Sequence, residues 1–317
     1  MKLYKHIRGS GLIVCLLVSA TVANATVDPT GLIGYWKFDD AVSSTTAADS
    51  SGKGYDGTVV DNSTGANNFG VAGMVGTAWQ TASDGAAWPN MKSDYIQLPA
   101  STGNELRLVT SKFTVLGWFK YEDVDNSGNV SLFDSHISGA NGLQITAVSG
   151  NPSGGQSPEL QFQIGTDLAS ISAASLPGGS GDWEVGMWYF FAARFDASAA
   201  SSQMILWLAR STDDWASRSG TAATRTIPPG DPGLEPLLGR DTAPGAFIGV
   251  RDEFSIWSNR TLTSDEVGEI FEANQAGNPL PLPEPSIAVL LGLGALVLPL
   301  RTCRKNQELV VPMIPNL

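Results

Sequence analysis

Phe247-Ile248-Gly249-Val250-Arg251-Asp252-Glu253-Phe254-Ser255-Ile256-Trp257 is the stretch that decides the fold. It contains no proline, is rich in β-branched and aromatic residues, and alternates as a half-buried strand does. The alternation predicts one face with Ile248, Val250, Asp252, Phe254 and Ile256, so a carboxylate would point where four apolar side chains point. A buried carboxylate needs a partner, because an unpaired charge is costly to remove from water.

Two partners for Asp252 fit the sequence. In one interpretation, the carboxylate accepts hydrogen bonds from backbone amides of the early loop at residues 49–52, and so joins the first and last strands. In the other, Asp252 shares a structural calcium ion with Asp39 or Asp40 and with backbone carbonyls, since calcium prefers six to eight oxygen ligands in adaptable geometry. The sequence leaves both interpretations open.

Strand-like runs recur through the middle of the chain. They occupy residues 32–39, 94–98, 113–122, 130–136, 143–148, 160–164, 188–196, 204–209 and 246–257. Gly, Ser, Asp, Asn and Pro fill the gaps between them, as is typical of an antiparallel sandwich. One helix is predicted after the last strand, capped by Thr263, with Glu266 three residues later as a capping box requires, and continuing through Ala273. The predicted fold is an all-β, two-sheet antiparallel jelly-roll sandwich with one short C-terminal helix.

Several motifs carry a family resemblance. They are Gly31 to Asp40, Asp49 to Gly54, Phe113 to Val115 with Gly117-Trp118, and the opening stretch with Leu262 to Val267. Together these motifs resemble LamG-like domains of the concanavalin A-like lectin and glucanase superfamily. The resemblance implies a concanavalin A-like jelly roll, and it leaves the ligand open because that fold hosts lectins, glycosidases, adhesion modules and spacers.

Both ends of the chain indicate export. A basic n-region, an apolar run at 12–18 and Ala23-Asn24-Ala25 predict a signal peptide over residues 1–25. Pro283-Glu284-Pro285, the apolar run 287–300 and the basic cluster that follows resemble a PEP-CTERM sorting tail of Gram-negative bacteria. As a helix the apolar run would be about 21 Å long, shorter than a hydrocarbon core of about 30 Å, which favours transient insertion.

The resemblance to sorting tails implies a processing enzyme of the exosortase type and a brief contact of the C-terminal hydrophobic helix with the inner membrane. The expected destination is the cell surface, outer envelope or extracellular matrix. The predicted domains are the signal peptide at 1–25, the LamG-like domain at 26–278, the sorting segment at 279–305 and a short tail at 306–317. Residues 277–285 are expected to be a stiff, proline-rich linker.

Composition excludes several functions. A net charge of -12 disfavours nucleic acid as a partner, because an acidic surface repels phosphates. The two cysteines, Cys15 and Cys303, lie outside the predicted domain, so disulfides cannot stabilise it. After the signal peptide, His136 is the only histidine, and the Glu-x-Asp-x-x-Glu string of the superfamily's glycosidases is missing. The chain is therefore predicted not to be an enzyme.

A second calcium-like pattern runs from Asp123 to Asp134 and matches much of a twelve-residue calcium loop. Strands rather than helices are predicted on both sides of it. A plain hairpin turn over 125–129 is the favoured interpretation, since Asp, Asn and Gly supply the backbone conformations that such a turn needs.

Three tryptophans, Trp88, Trp183 and Trp215, lie among Gly, Asp, Asn and Pro rather than in strands. A loop tryptophan with an exposed ring can stack on a sugar, and the alternative is that each ring folds back as a lid on the sandwich. The predicted function is a non-catalytic carbohydrate-binding or adhesion module that acts on a glycan or extracellular polysaccharide. The alternatives are a structural surface protein without a sugar site and a diverged polysaccharide hydrolase.

Overall fold

The computed structural model describes residues 27–62, 68–81, 93–99, 105–122, 129–135, 142–149, 157–178, 181–230, 235–239 and 249–283. The strands in this part of the chain are β1 Leu32–Trp36, β2 Thr46–Ala47, β3 Gly57–Val60, β4 Asn68–Ala72, β5 Thr77–Thr81, β6 Tyr95–Gln97, β7 Lys112–Tyr121, β8 Asn129–Asp134, β9 Leu143–Val148, β10 Glu159–Ile164, β11 Asp167–Ser172, β12 Trp188–Asp196, β13 Met204–Arg210, β14 Ser219–Ala223, β15 Leu237–Leu238 and β16 Gly249–Ser258. The helix α1 spans Ser264–Gln275.

The strands form two antiparallel sheets that pack face to face. Sheet A has the order β14-β13-β12-β7-β16-β5-β4, with β1 also paired to β16. Sheet B has the order β11-β10-β9-β8-β15-β6-β3-β2. A large apolar cluster with many aromatic rings fills the space between the sheets, as expected when the inward side chains of two sheets interdigitate. The predicted all-β sandwich with one short helix is confirmed.

Every strand predicted from the sequence is present, with ends that shift by up to three residues. The strands that the sequence did not reveal are short or poor in large apolar residues. Edge strand β14 has the sequence SGTAA, and β2 and β15 contain two residues each. Such segments have little pattern to detect, and they join the sheets because their neighbours offer unpaired backbone groups.

Strand β16 changes face in its middle. Before this point Asp252 pairs with Trp118, and after it Ser255 pairs with Leu116, so one extra residue is accommodated on β16. Glu253 adopts a φ of 50°, the left-handed conformation found at β-bulges. The predicted common face was therefore wrong. Asp252 lies on the outer face with Trp118, whereas Phe254 and Ile256 belong to the inner core.

The bulge coincides with a change of partner along one edge of β16. Val250 and Arg251 pair with β5, whereas the stretch from Phe254 to Trp257 pairs with β1. Arg251 points between the sheets, where its guanidinium donates to the backbone oxygen of Ser131 at 3.0 Å and lies over the ring of Trp79. Burial lowers the pKa of Arg251 to about 9.

Helix α1 begins with the predicted capping box. The Thr263 hydroxyl accepts from the Glu266 amide, and the Glu266 carboxylate accepts from the Thr263 amide. The helix buries Val267, Ile270 and Phe271 against the outer face of sheet A. A second apolar cluster results, in which Phe271 stacks on Trp118 with ring centroids 5.4 Å apart.

The two ends of the chain fall mostly outside the described residues. The predicted signal peptide, Glu284, Pro285 and the apolar run 287–300 are among the residues not described. Within the described ranges, no helix has the length and apolar character needed to cross a membrane. The expected linker is only partly described, and there Leu280 is buried and Leu282 packs against the cluster beneath α1. The predicted boundary at Asn278 thus falls inside a docked stretch.

Candidate ligand-binding face

The structure places two of the three predicted platform tryptophans inside the protein. Trp183 is 3% exposed, donates to the Val148 backbone oxygen at 2.7 Å and stacks on Tyr121. Trp215 is 8% exposed and donates to the Ser264 backbone oxygen at 3.0 Å, between sheet A and α1. Neither ring has an open face for a sugar, so both fit the alternative interpretation of a lid. Trp88 lies outside the described residues.

Asp252 is fully buried, as predicted, but its partners differ from those expected. One carboxylate oxygen accepts from the amides of Met74 at 2.7 Å and Val75 at 2.9 Å, and the other accepts from the Glu253 amide at 2.9 Å. Met74 and Val75 belong to the turn between β4 and β5, not to the loop at residues 49–52. Asp252 therefore secures that turn against the bulge of β16.

The early loop is held by its own aspartate. Asp49 accepts from the amides of Tyr35, Ser51 and Tyr55, and this ties the loop to β1. The side chain of Asp49 is short and accepts from several backbone amides. These hydrogen bonds take the place of those that a helix or strand would supply. Asp49 therefore holds the early loop, and Asp252 holds the turn between β4 and β5 instead of that loop.

The three aspartates predicted to hold calcium are engaged at different places. Asp39 accepts from the amide and hydroxyl of Thr77, and Asp40 accepts from the Ala48 amide, while Asp252 binds the turn before β5. Among the described residues, no group of three or more His, Cys, Asp or Glu side chains is arranged to hold a metal ion. Calcium binding stays a prediction, and the observed hydrogen bonds already satisfy Asp252.

A buried carboxyl pair occupies the bulge. Burial raises the pKa of Asp252 to about 8 and that of Glu253 to about 7, because the charged forms lose hydration. Tyr35 donates its hydroxyl proton to one oxygen of Glu253, and burial raises the pKa of Tyr35 as well. The other oxygen of Glu253 is buried without a hydrogen-bond partner. Glu253 was not predicted as a site residue, because the alternation of a regular strand places its side chain on the face opposite to that of Asp252.

The outer face of sheet B differs from that of sheet A, because no described helix packs on it. Cross-strand pairs align one row of side chains over all eight strands. From one edge to the other, the row contains Leu168, Gln163, Gln144, Asp134, Leu237, Gln97, Thr58 and Thr46. At about 4.8 Å per strand, this row runs for about 33 Å.

A second polar row lies beside the first. It contains Ser170, Gln161, Thr146 and Ser131, while the residues between them in each strand belong to the inner core. Gln161, Gln163 and Ser170 are half-buried, whereas Thr146 and Ser131 are buried. We name the two rows together the sheet B face. The sequence predicted a strand at residues 160–164, but not that its polar side chains align with those of the neighbouring strands.

Side chains on the sheet B face are partly fixed by one another. Gln144 donates to the Ser131 hydroxyl at 3.0 Å and to Asp134 at 3.3 Å. Gln163 donates to the Gly165 backbone oxygen at 2.8 Å. Amide side chains that are held but incompletely paired suit recognition of a hydroxyl-rich ligand, because they offer both donors and acceptors.

The carboxyl groups of this face are poorly placed for glycoside hydrolysis. Asp134 and Glu159 are two strands apart and offset by four residues along the strands, which puts their Cα atoms about 16 Å apart. Glycosidase carboxyl pairs are about 5–10 Å apart. Each of the two also accepts from a glutamine of the face, Asp134 from Gln144 and Glu159 from Gln161.

The family follows from a match to residues 90–268, which are more than half of the chain. These residues fit the model of the concanavalin A-like lectin/glucanases superfamily. The chain belongs to this superfamily. Members of this concanavalin A-like superfamily include both non-catalytic binding domains and glycoside hydrolases, so membership alone does not decide between binding and catalysis. No curated protein sequence gives a significant match.

Several solved structures share the concanavalin A-like fold. The binding domain of botulinum neurotoxin DC, solved with rat synaptotagmin II, matches 79% of this chain and 55% of its own length, with 13% identity and a TM-score of 0.50. A Trypanosoma rangeli sialidase with the inhibitor DANA matches 78% of this chain and 34% of its own, at 12% identity and a TM-score of 0.50. Domain 4 of AbnA, an arabinanase from Geobacillus stearothermophilus, with arabinotriose, matches 75% and 97%, at 18% identity and 0.47.

This chain therefore spans about half of the neurotoxin binding domain and a third of the sialidase. At these identities the likeness concerns the fold alone.

Proposed function

We propose that this protein is a non-catalytic carbohydrate-binding module whose ligand lies across the sheet B face. The observation that supports the proposal is the row of cross-strand neighbours from Leu168 to Thr46, in which six of eight residues are polar and which no described helix covers. A row of about 33 Å suits an extended polymer better than a single small molecule. Half-buried glutamines supply the paired donors and acceptors that sugar hydroxyl groups require.

The electrostatic character of the chain supports a neutral ligand. A net charge of -12 disfavours strongly anionic polymers, whereas a neutral glycan meets no such repulsion. Tyr95 and Leu168 add partly exposed apolar surface to the face, on which the C–H side of a sugar ring can rest. The role in binding is proposed for the sheet B face rather than for the buried rings of Trp183 and Trp215.

The place of action is proposed from the chain ends. The signal peptide at 1–25 and the tail with Pro283-Glu284-Pro285 would deliver the module to the cell surface or its polysaccharide matrix, with an exosortase-type enzyme as a transient partner. A polymer ligand in that matrix fits the extended shape of the face.

A glycan-array screen of residues 26–283 tests the proposal, since this segment contains the whole packed domain. We expect saturable binding that weakens about 10- to 100-fold when Gln161 and Gln163 are both replaced by Ala, because two hydrogen bonds of about 1 kcal/mol or more are lost. Asn278→Ala is the matched control, since it removes an exposed amide near the opposite sheet.

Melting curves of both variants should match that of the parent. If the double variant binds the glycan with unchanged affinity, the sheet B face is not the binding site. An array without any saturable signal would favour the structural surface protein instead.

A further inference from the structure

The segment at residues 277–283 has unusual backbone chemistry. Its sequence is Gly-Asn-Pro-Leu-Pro-Leu-Pro, so proline alternates with leucine at its end. Proline has no N–H, and it holds the chain extended. From Pro279 onward, the backbone therefore has donors only at Leu280 and Leu282. Neither a helix nor a strand can form there, and any docking must use those two amides and the leucine side chains.

Hydrogen bonds at Asn278 and Leu280 attach this segment to helix α1 and to sheet A. The Asn274 amide group donates to the Asn278 backbone oxygen at 2.9 Å, while its oxygen accepts from the Trp118 indole at 3.0 Å. Further on, the Leu280 amide donates to the Tyr35 hydroxyl at 3.0 Å, and that hydroxyl donates to Glu253. The chain is thus held at two points on either side of Pro279.

Apolar burial accompanies these hydrogen bonds. Leu280 is 6% exposed, although Asn278 and Pro279 before it are exposed, and Leu282 packs on the same cluster as Leu280. Exposure returns at Pro283. The Leu282 amide donates to the Leu280 backbone oxygen, so neither amide of the segment is available to another chain.

We propose that residues 277–283 form a self-docked strap, which withholds this stretch from any enzyme or receptor that must bind it as an extended peptide. Such partners pair with the backbone amides and take alternate side chains into pockets. In the docked strap the amides of Leu280 and Leu282 are already used, and the Leu280 side chain is buried. The strap must leave sheet A before a partner can engage it.

The strap therefore regulates access to the residues that precede Glu284. A partner that binds only the undocked form has its apparent affinity reduced by the undocked fraction. Local opening of this kind is independent of global unfolding, because the strap contributes no strand to either sheet. The inference is also independent of the proposed carbohydrate role, since the sheet B face belongs to the other sheet.

A monoclonal antibody raised against a linear peptide of residues 276–283 tests the strap. Its affinity is measured for the free peptide and for the full chain. We expect the full chain to bind at least about tenfold more weakly than the peptide, because the undocked fraction is small. Tyr35→Phe removes the hydroxyl that accepts from Leu280 and should strengthen binding to the full chain about tenfold.

Tyr55→Phe is the matched control, because it removes a tyrosine hydroxyl that hydrogen-bonds Glu105 far along the chain from the strap. It should leave antibody binding unchanged. Equal affinity for the peptide and the full chain would overturn the proposal. So would equal binding by the Tyr35→Phe variant and the parent chain.

Amide hydrogen exchange gives a second measurement that needs no substitution. A proteolytic fragment of residues 279–283 reports only the amides of Leu280 and Leu282, since its other residues are prolines. In the docked strap, the Leu280 amide should exchange at least about tenfold more slowly than in the free peptide. Equal exchange rates would show that the strap is open in solution and would overturn the proposal even if Tyr35→Phe failed to fold.

Discussion

The outer faces of the two sheets differ in composition and in what packs on them. The face of sheet A is covered by the chain itself, with α1 and the strap packed over Trp118, Tyr35 and Trp257. The sheet B face carries glutamine, serine and threonine in aligned rows and has no described helix over it. An antiparallel sheet needs only one buried face. The outer face of sheet A is buried by apolar packing, whereas that of sheet B is polar, with Ser131, Thr146 and Asp134 buried and its glutamines half-buried.

We expect the residues that determine stability and the residues that bind a ligand to lie on different outer faces. Residues on the outer face of sheet A bury aromatic area and should determine how firmly the domain folds. The half-buried Gln161 and Gln163 of the sheet B face lie outside the apolar core, so substitutions there should affect ligands without affecting folding. The predictions below test whether the two faces are divided in this way.

Phe271→Ala should have the largest effect, on the covered face. The ring is fully buried and contacts Trp118, Phe190 and Trp215. Its removal leaves a cavity, so the free energy of unfolding should fall by about 3–5 kcal/mol. Chemical denaturation measures the loss. Gln163→Ala on the sheet B face is the comparison, and a loss there of similar size would break the division between the faces.

Asp252→Ala should have the next largest effect. Three backbone amides, those of Met74, Val75 and Glu253, lose their acceptor. We expect the free energy of unfolding to fall by about 2–4 kcal/mol, because buried donors would lack partners. Asp252→Asn, which keeps one acceptor oxygen, should lose about half as much. Equal stability of Asp252→Ala and the parent would show that this carboxylate does not secure the turn.

The same variant tests the predicted calcium ion. If Asp252 binds calcium, the melting temperature of the parent should rise with added calcium and fall with a chelator, because the ion binds only the folded state. Asp252→Ala should then lose that response. If added calcium does not change the melting temperature of the parent, Asp252 serves as the acceptor for the three amides and not as a calcium ligand.

Glu253→Gln should have the smallest effect, and one that depends on pH. The pKa of Glu253 is raised to about 7 in the folded protein from 4.5, mainly by burial. A raised folded pKa stabilises the protein at pH values below 4.5, and this contribution is lost as the pH rises towards and through 7. The parent should lose about 2–3 kcal/mol between pH 5 and pH 8 from this group.

The glutamine variant cannot ionise, so its stability should change less over the same pH interval. The amide oxygen can still accept from Tyr35, and the new N–H₂ group replaces the carboxylate oxygen that has no partner. Melting curves of both proteins at pH 5 and pH 8 measure the difference. Parallel pH profiles would show that Glu253 does not titrate in this range.

Much of the fold could be predicted from local patterns. The aromatic-rich run at Trp188–Asp196 and the spacing of Thr263 and Glu266 are local signals, and the structure confirms both. The bulge at Glu253 could not be predicted, since a single extra residue changes the parity without changing the composition. The partner change from β5 to β1 at that point depends on chain segments that are distant in sequence.

The candidate site was harder to predict than the fold. The row on the sheet B face needs the register of all eight strands, and no single strand reveals which residue pairs with which. The polar neighbours of Trp183 and Trp215 left open whether each ring is an exposed platform or a lid on the sandwich, and tertiary packing buries both. Proline-rich composition suggested a linker before Glu284, but two leucines and one tyrosine hydroxyl suffice to dock it.

The pairing of β1 with β16 has a consequence for how the chain folds. Leu32 lies opposite Trp257, 225 positions later, and β16 also supplies partners for β5 and β7. During synthesis from the N-terminus, β1 cannot pair with β16 until almost the whole domain has been made. Sheets closed by such distant contacts fold slowly and only as a unit. The last of the described strands to be made thus completes sheet A.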